Sequence, residues 1–471
     1  MTKGQVNRKT DSTESILDKH NKLNLFILCI AVFMASLDVF IVNVALNKIG
    51  DSFGQSSLSN LSWILNGYAI LYAALLVPAG KWADRFGQKN GFVWGISLFT
   101  LSSLGAALSG GLWVLILFRC LQAIGAALLT PSSLGLVLTI MPEKQKKRAV
   151  RIWTSSGSLA AAAGPVVGGV LLEISWQWLF IINVPIGIFA VLTAIQYIPD
   201  QRSKTISGMP DLWGGLLLIV SIGALALGLG KATDWGWEHP IIWGSFILFV
   251  IALIGFITQS RKHPYPIVEL SLFRSRVFTW SNITITLVNI AFAMELLSII
   301  MYIQNIWGWS SLATGLAISA GPCMVWPSAI VGQRFSKRIT FNVVAAIGMV
   351  LIGAGSLLFA LSVQGSPNYW TQVLPGWLII GIGYGMTLPI IISSATKELA
   401  SDQTATGSAI VNMFRQLGSV LGTTILVVVL GSSVRDLRAF ENSWWIAVAL
   451  SLLGAFTALG LLPKNNRVRQ Q

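Results

Sequence analysis

Runs of about 18 or more apolar residues recur along this chain, and each is long enough to cross the hydrocarbon core of a bilayer. No feature constrains the fold more. Lipid offers no hydrogen-bond partner to backbone N–H and C=O groups, so every such run must be a helix. Composition agrees: 54% of the 471 residues are hydrophobic and 11% are charged, against roughly 25% charged in ordinary soluble proteins. A soluble bundle of this size cannot hide so much apolar surface behind so few charges.

Spans are expected near residues 24–46, 58–80, 91–109, 113–138, 149–173, 178–197, 211–229, 241–260, 278–304, 312–333, 341–361, 373–396, 404–430 and 443–462, which makes fourteen. The polar, mixed-charge residues 1–23 lead directly into a full-length span. A cleavable signal peptide would show a short apolar core and a small-residue cleavage site instead.

Lys and Arg set the orientation, because short cytoplasmic loops carry the excess of positive charge. With the N-terminus inside, 26 of the 32 basic residues fall in cytoplasmic segments and four outside, namely Lys48, Lys231, Arg435 and Arg438. Arg119 and Arg415 remain within spans. Both termini are therefore expected on the cytoplasmic side of a bacterial inner membrane. The net charge of +14 is spread over many short loops, which argues against a nucleic-acid partner.

The chain repeats itself. Gly125 and Pro131 recur as Gly383 and Pro389, an offset of 258, and Asp38 recurs as Glu295, an offset of 257. The second and tenth spans each end in a glycine and a basic turn, GKWADRFGQKN from Gly80 and GQRFSKRIT from Gly332. The expected plan is an all-α polytopic membrane protein with a cytoplasmic tail (1–23), a six-helix bundle (24–197), a linker with two inserted helices (198–277), a second six-helix bundle (278–463) and a cytoplasmic C-tail (464–471). Parallel repeats about an axis along the membrane normal are a known transporter plan.

These segments resemble the major facilitator superfamily, in its fourteen-helix drug:proton antiporter branch. The resemblance rests on LDVFIVNVAL (37–46), the loop GKWADRFGQKN (80–90), FRCLQAIGAALLTPSS (118–133), AAAAGPVVGGVL (160–171), WQWLFIINVPIG (176–187) and FRQLGSVLG (414–422). It implies a major facilitator fold working by alternating access. Phe40 stands where the first-helix motif usually has a small polar residue, and Lys81 and Trp82 vary the start of the loop motif.

A charge at mid-bilayer costs about 2.5–3.5 kcal/mol on insertion scales, so each one needs a reason. Asp38, Arg119 and Glu295 lie roughly 14, 9 and 14 Å below the outer face at about 1.5 Å per helical residue. They share one layer. Asp38 faces two opposing influences, an opposite charge that favours its ionised form and burial that favours its neutral form. It is a proton-coupling candidate, and the resemblance implies that Arg119 helps set its proton affinity. A static ion pair that fixes helix packing is the alternative. Glu295 is a candidate for a second proton, for a cationic substrate, or for a carboxyl that is only structural. Trp63, Asn66, Tyr68, Gln122, Asn289 and Gln304 are candidates to line the substrate cavity, where aromatic faces suit flat cations.

Gly80, Asp84, Arg85 and Gly87 are expected in a cytoplasmic turn that holds one conformation, or in a solvated hairpin. Gly164, Pro165, Gly168 and Gly169 permit close helix approach. The resemblance implies that antiporters seal their outer side there; packing alone is the plainer reading. Arg415, near mid-depth, needs a carboxylate, carbonyls or water, and is a candidate for conformational gating.

His20, His239 and His263 lie in polar segments, and Cys29, Cys120 and Cys323 show no metal spacing. No nucleophile–base constellation and no GxxxxGK[ST] loop is present. An enzyme and an ATP-driven pump are thereby excluded, and no cofactor is expected beyond a proton gradient. Short tails and loops argue against a receptor or channel. The expected function is proton-coupled export of small amphipathic or cationic compounds, with a dedicated exporter of one metabolite, such as a siderophore, as the alternative. The partners are the substrate, protons and the bilayer, and the protein is expected to work as a monomer.

Overall fold

The computed structural model describes residues 3–55, 57–200, 211–397, 399, 403–431 and 434–461, without the side chains of 3–20, 404 and 405. Arg202 and Lys204 of the linker and the C-tail 464–471 lie outside the described residues.

Fourteen long helices run through the described chain. They are α1 (Asn21–Ser52, continuing a helix that starts at Lys3), α2 (Leu58–Phe86), α3 (Gln88–Ala107), α4 (Leu112–Ile140), α5 (Glu143–Ile174), α6 (Trp178–Tyr197), α7 (Leu212–Trp235), α8 (Pro240–Lys262), α9 (Arg276–Asn305), α10 (Ser311–Phe335), α11 (Phe341–Ser362), α12 (Tyr369–Lys397), α13 (Thr404–Leu430) and α14 (Leu437–Leu459). Thirteen of them are long and apolar enough to span a membrane. The exception, α3, opens on Gln88, Lys89 and Asn90, whose polarity offsets its apolar remainder.

Helix starts follow capping chemistry, in which a side-chain oxygen takes one of the first orphan N–H groups. Ser57, Asp211, Ser275 and Ser310 accept from the N–H of Asn60, Gly214, Phe278 and Ala313 respectively. The structure corrects several boundaries. The motif from Gly80 to Asn90 is not a loop: helix continues to Phe86 and resumes at Gln88. Gly87 alone makes the turn, at φ 104° with its N–H on the Ala83 carbonyl, a conformation that costs glycine nothing. Lys231 lies in the last turns of α7 rather than in a loop, and Arg438 lies in the first turn of α14.

Helices α1–α6 pack with one another, as do α9–α14, while α7 and α8 form a pair. The repeat is visible in the packing. A Cβ at Gly125 would meet the Gly95 carbonyl oxygen at 2.7 Å, so α3 and α4 cross at backbone contact. Gly383 against the Gly348 carbonyl makes the same crossing between α12 and α11.

The halves meet at α2–α13 and α5–α10, with α7 laid against both α2 and α13. Their close contacts sit at the ends the basic-residue count assigns to the outside. A Cβ on Gly169 would lie 2.7 Å from the Leu312 Cα, and one on Gly315 would strike the Pro165 carbonyl. Asn47 donates to the side-chain oxygens of Gln304 and Asn305 at 2.9 and 3.0 Å. Asn47 and Gln304 are 257 residues apart, the offset of the repeat, so equivalent positions of α1 and α9 touch beside the pseudo-twofold axis.

Toward the basic end the same stripes separate. Ser158 and Thr154, seven and eleven residues before Pro165, are exposed. Trp326, eleven residues after Gly315, is 62% exposed. Residues seven and eleven apart share a helix face, so the two halves splay apart from an outer seam.

Candidate functional site

The N-terminal bundle encloses one buried polar cluster. Asp38, from mid-α1, is fully buried and ion-paired to Arg119 of α4, itself 1% exposed. Its second carboxylate oxygen accepts from Asn183 Nδ2 at 3.0 Å and Gln122 Nε2 at 3.3 Å. Arg119 donates to Gln122 Oε1 at 2.9 Å and through Nε to the Ile64 carbonyl at 3.3 Å. Its guanidinium stands 4.4 Å from the Tyr68 ring centroid and 5.9 Å from that of Phe180. Gln122 in turn donates to Ser103 at 2.7 Å.

The helices explain why these groups converge. Arg119 and Gln122 are three apart on α4 and share a face. Tyr68 and Ile64 are one turn apart on α2. A buried charge pair is tolerated only when its remaining lone pairs and protons are also met, and here amides, a carbonyl and an aromatic face meet them. Asn183 was not singled out from the sequence. It sits within the WQWLFIINVPIG motif, and an amide in an otherwise apolar span was the available signal.

Glu295, the repeat equivalent of Asp38, is fully buried in the C-terminal bundle. Among the described residues neither of its oxygens has a hydrogen-bond partner. Ser356 lies beside it but donates to the Ile352 carbonyl at 3.0 Å. The two carboxyls thus occupy separate bundle interiors and do not share a wall.

The other candidates are dispersed. Asn66 donates to Thr424 at 3.2 Å and so ties α2 to α13. Gln304 is in the outer seam, its Nε2 on the Val44 carbonyl at 3.1 Å and its oxygen on Asn47. Trp63 faces an outer cleft with Asn60, Trp113, Leu227, Lys231 and Trp235. Asn289 accepts from the Tyr384 hydroxyl at 3.2 Å. Half-buried Arg415 comes alongside that same hydroxyl, with Tyr72 within reach of its charge. Among the described residues Arg415 has no carboxylate partner. Tyr384 stacks on Phe292 at 4.1 Å between centroids, an aromatic and cationic group next to the space between the halves.

Of the turn residues, Gly80 rests 3.5 Å from Pro131 by its would-be Cβ. Asp84 accepts from Gln88 at 2.6 Å, and Arg85 lies over the Phe86 ring at 5.5 Å. Lys81 donates to the Pro266 carbonyl at 2.9 Å, joining α2 to the segment after α8. Gly164 and Gly168 abut Phe40 and Ile41 of α1, whereas Gly169 abuts α10. Among the described residues no group of His, Cys, Asp and Glu is placed to hold a metal ion.

Two helical bundles about a seam, with buried charge inside the membrane-spanning part, are a transporter plan, and the matches to known proteins make this chain a transporter rather than an enzyme. The sequence model of the Major Facilitator Superfamily matches residues 28–423. The chain belongs to that superfamily. It is similar to the tetracenomycin C resistance and export protein of Streptomyces glaucescens, at 30% identity over 89% of this chain and 77% of the relative. It is also similar to the methylenomycin A resistance protein of Streptomyces coelicolor, at 30% over 92% and 91%. A putative multidrug resistance protein of Escherichia coli matches at 31% over 88% and 87%. These relatives agree with the fourteen-helix drug-exporter branch. In fold the chain matches a D-xylose–proton symporter with a TM-score of 0.65 at 13% identity over 94% and 98% of the two chains. A peptide transporter matches with a TM-score of 0.66 at 17% over 92% and 93%.

Proposed function

We propose that this protein is a proton-coupled antiporter that exports small amphipathic or cationic compounds by alternating access. The observation that carries this reading is the fully buried Asp38–Arg119 pair with its Gln122 and Asn183 donors. In this reading proton exchange at Asp38 follows when the pair is disturbed. Rearrangement of the helices around it would supply that disturbance. Resistance relatives support export as the direction of transport. Glu295 would carry a second proton or bias the cavity toward cations; Tyr384, Phe292 and Arg415 would contact substrate.

The test is efflux of a panel of dyes and drugs from cells lacking other pumps, with and without a proton uncoupler, normalised to protein in the membrane. Wild-type efflux should stop with the uncoupler, and Asp38→Asn should lose gradient-driven efflux. Uncoupler-insensitive efflux would remove the antiport reading. A second reading, a dedicated exporter of one natural product, is favoured by relatives named for single antibiotics. It expects no activity across the panel and strong activity toward one compound.

A further inference from the structure

Asn183 differs from the other groups around Asp38 in holding a bonding atom in reserve. It is fully buried. Its Nδ2 donates to Asp38 Oδ1 at 3.0 Å, and its own Oδ1 has no hydrogen-bond partner among the described residues. A buried amide oxygen left unpaired in an otherwise satisfied cluster calls for an explanation. Gln122 has no such reserve. Its Oε1 accepts from Arg119 at 2.9 Å, and its Nε2 donates to Ser103 at 2.7 Å as well as to Asp38 at 3.3 Å.

Every hydrogen bond to the Asp38 carboxylate comes from a donor suited to its ionised form. Arg119 holds Oδ2, and Gln122 and Asn183 hold Oδ1. The titratable groups that face it are Arg119 of α4 and Tyr68 of α2; residues 91–107, 152–172 and 178–196 of α3, α5 and α6 include none. A proton gained on Oδ1 turns that oxygen into a donor. It then confronts the Nδ2 hydrogens of Asn183 and needs an acceptor. Half a turn of the Asn183 amide about Cβ–Cγ brings Oδ1 to where Nδ2 stood. The torsion onto an amide carbon is broad and roughly two-fold, and the unpaired Oδ1 gives up no bond in turning. The backbone also breaks beside it. Pro185 has no N–H for the Ile181 carbonyl, and helix stops at Ile181 and resumes at Asn183.

We propose that Asn183 is a two-way positioning residue for the proton site: it donates to the Asp38 carboxylate and, turned over, accepts from the carboxylic acid. The assignment rests on the reading of Asp38 as the coupling group. The proton comes from water when the ion pair is disturbed, and an O–H bond forms on Oδ1. Arg119 keeps its own protons, with Gln122, the Ile64 carbonyl and the Tyr68 ring still to receive them. The turned amide leaves Nδ2 where its oxygen was, so one unpaired atom replaces another. Each protonation state of Asp38 thus meets a partner of the right sense.

Infrared difference spectra of the full chain in lipid, recorded against pH, test the assignment, with asparagine isotope-labelled in its side-chain carbonyl. Acidification should bring up a carboxylic acid band that Asp38→Asn lacks. With the same midpoint, the labelled carbonyl band that Asn183→Ser lacks should move to lower frequency as it gains a hydrogen bond; Asn183→Leu is the second reference. In the efflux assay both Asn183 variants should lose about tenfold in uncoupler-sensitive rate, the effect of one hydrogen bond to a charged group. An Asp38 band with no movement at Asn183 would overturn the proposal and leave coupling at Asp38 standing. A labelled carbonyl already at low frequency at neutral pH, the mark of a water on Oδ1, would overturn it too. No Asp38 band at any pH would remove the coupling reading and the proposal with it.

Discussion

The outer seam makes a quantitative test of alternating access possible at a single glycine. In Gly169→Ala the new Cβ would lie 2.7 Å from the Leu312 Cα and 2.9 Å from the Ser311 carbonyl oxygen. Ordinary contact begins at 3.4 Å, so α5 and α10 must part by roughly 0.7 Å there. Backbone atoms cannot rotate aside, and overpacking of this kind costs about 1–3 kcal/mol. The penalty falls only on the state in which α5 touches α10. It therefore shifts the balance of outer-closed and outer-open forms by about 5- to 150-fold. The assay is labelling of Val44→Cys, fully buried at the seam, by an impermeant maleimide in a chain whose native cysteines are replaced. Labelling should accelerate at least about fivefold in Gly169→Ala. Gly164→Ala is the counterpart: its Cβ would strike Phe40 within the same bundle, so it should lower stability without changing labelling. Gly223→Ala, with nothing within 4 Å, is the neutral reference. A labelling rate for Gly169→Ala equal to that of Gly223→Ala would refute the reasoning.

Other outcomes follow from the buried contacts. Asn183→Leu removes one donor to the Asp38 carboxylate and should cost about 1.5–3 kcal/mol, read as a fall in thermal stability; no change would mean that Asn183 is not a donor to Asp38. Asn66→Ala removes the tie to Thr424 and should destabilise the outer-closed form by about 0.5–1.5 kcal/mol, again seen as faster labelling at Val44→Cys. Tyr384→Phe removes a hydroxyl shared by Asn289 and Arg415 and should weaken efflux of aromatic cations more than that of neutral drugs, measured side by side in the same cells.

The architecture was legible because lipid leaves a backbone only one way to satisfy itself. Thirteen spans follow from apolarity alone, and even α3 reads as a helix between two others. The Asp38–Arg119 pair was legible too, since two opposite charges at matching depth need one another. What escaped was everything set by rotation about helix axes. Depth put Glu295 level with Asp38, but the face it occupies turns it into its own bundle. Trp63 and Gln304 lie on the helices that flank the cavity, yet one faces an outer cleft and the other the seam. The Gly80–Asn90 motif reads as a loop because it is polar. A helix that projects into water is equally polar, and the break is confined to Gly87.

The two halves share a scaffold but not its chemistry, and the reason is one substitution within the repeat. At the offset of 258 that relates Gly125 to Gly383, the partner of Arg119 is Trp377. The structure supports the equivalence. Arg119 Nε donates to the Ile64 carbonyl on α2, and Trp377 Nε1 donates to the Ile318 carbonyl on α10 at 2.6 Å. Each is a long, buried side chain bridging to the second helix of its half. Trp377 reproduces the reach and the N–H of the arginine without its charge, so Glu295 faces no cation where Asp38 has one. Removing one member of a buried pair leaves an uncompensated charge and costs about 3–5 kcal/mol. Asp38→Asn should therefore lower stability by that amount, with Asp38→Asn/Arg119→Gln recovering part of it. Among the described residues Glu295→Gln breaks neither an ion pair nor a hydrogen bond, and it should stay within about 1 kcal/mol of wild type. Thermal unfolding of the three variants in one detergent compares them directly. Equal losses for Asp38→Asn and Glu295→Gln would mean that Glu295 has a charge partner after all, and that the asymmetry between the halves does not exist.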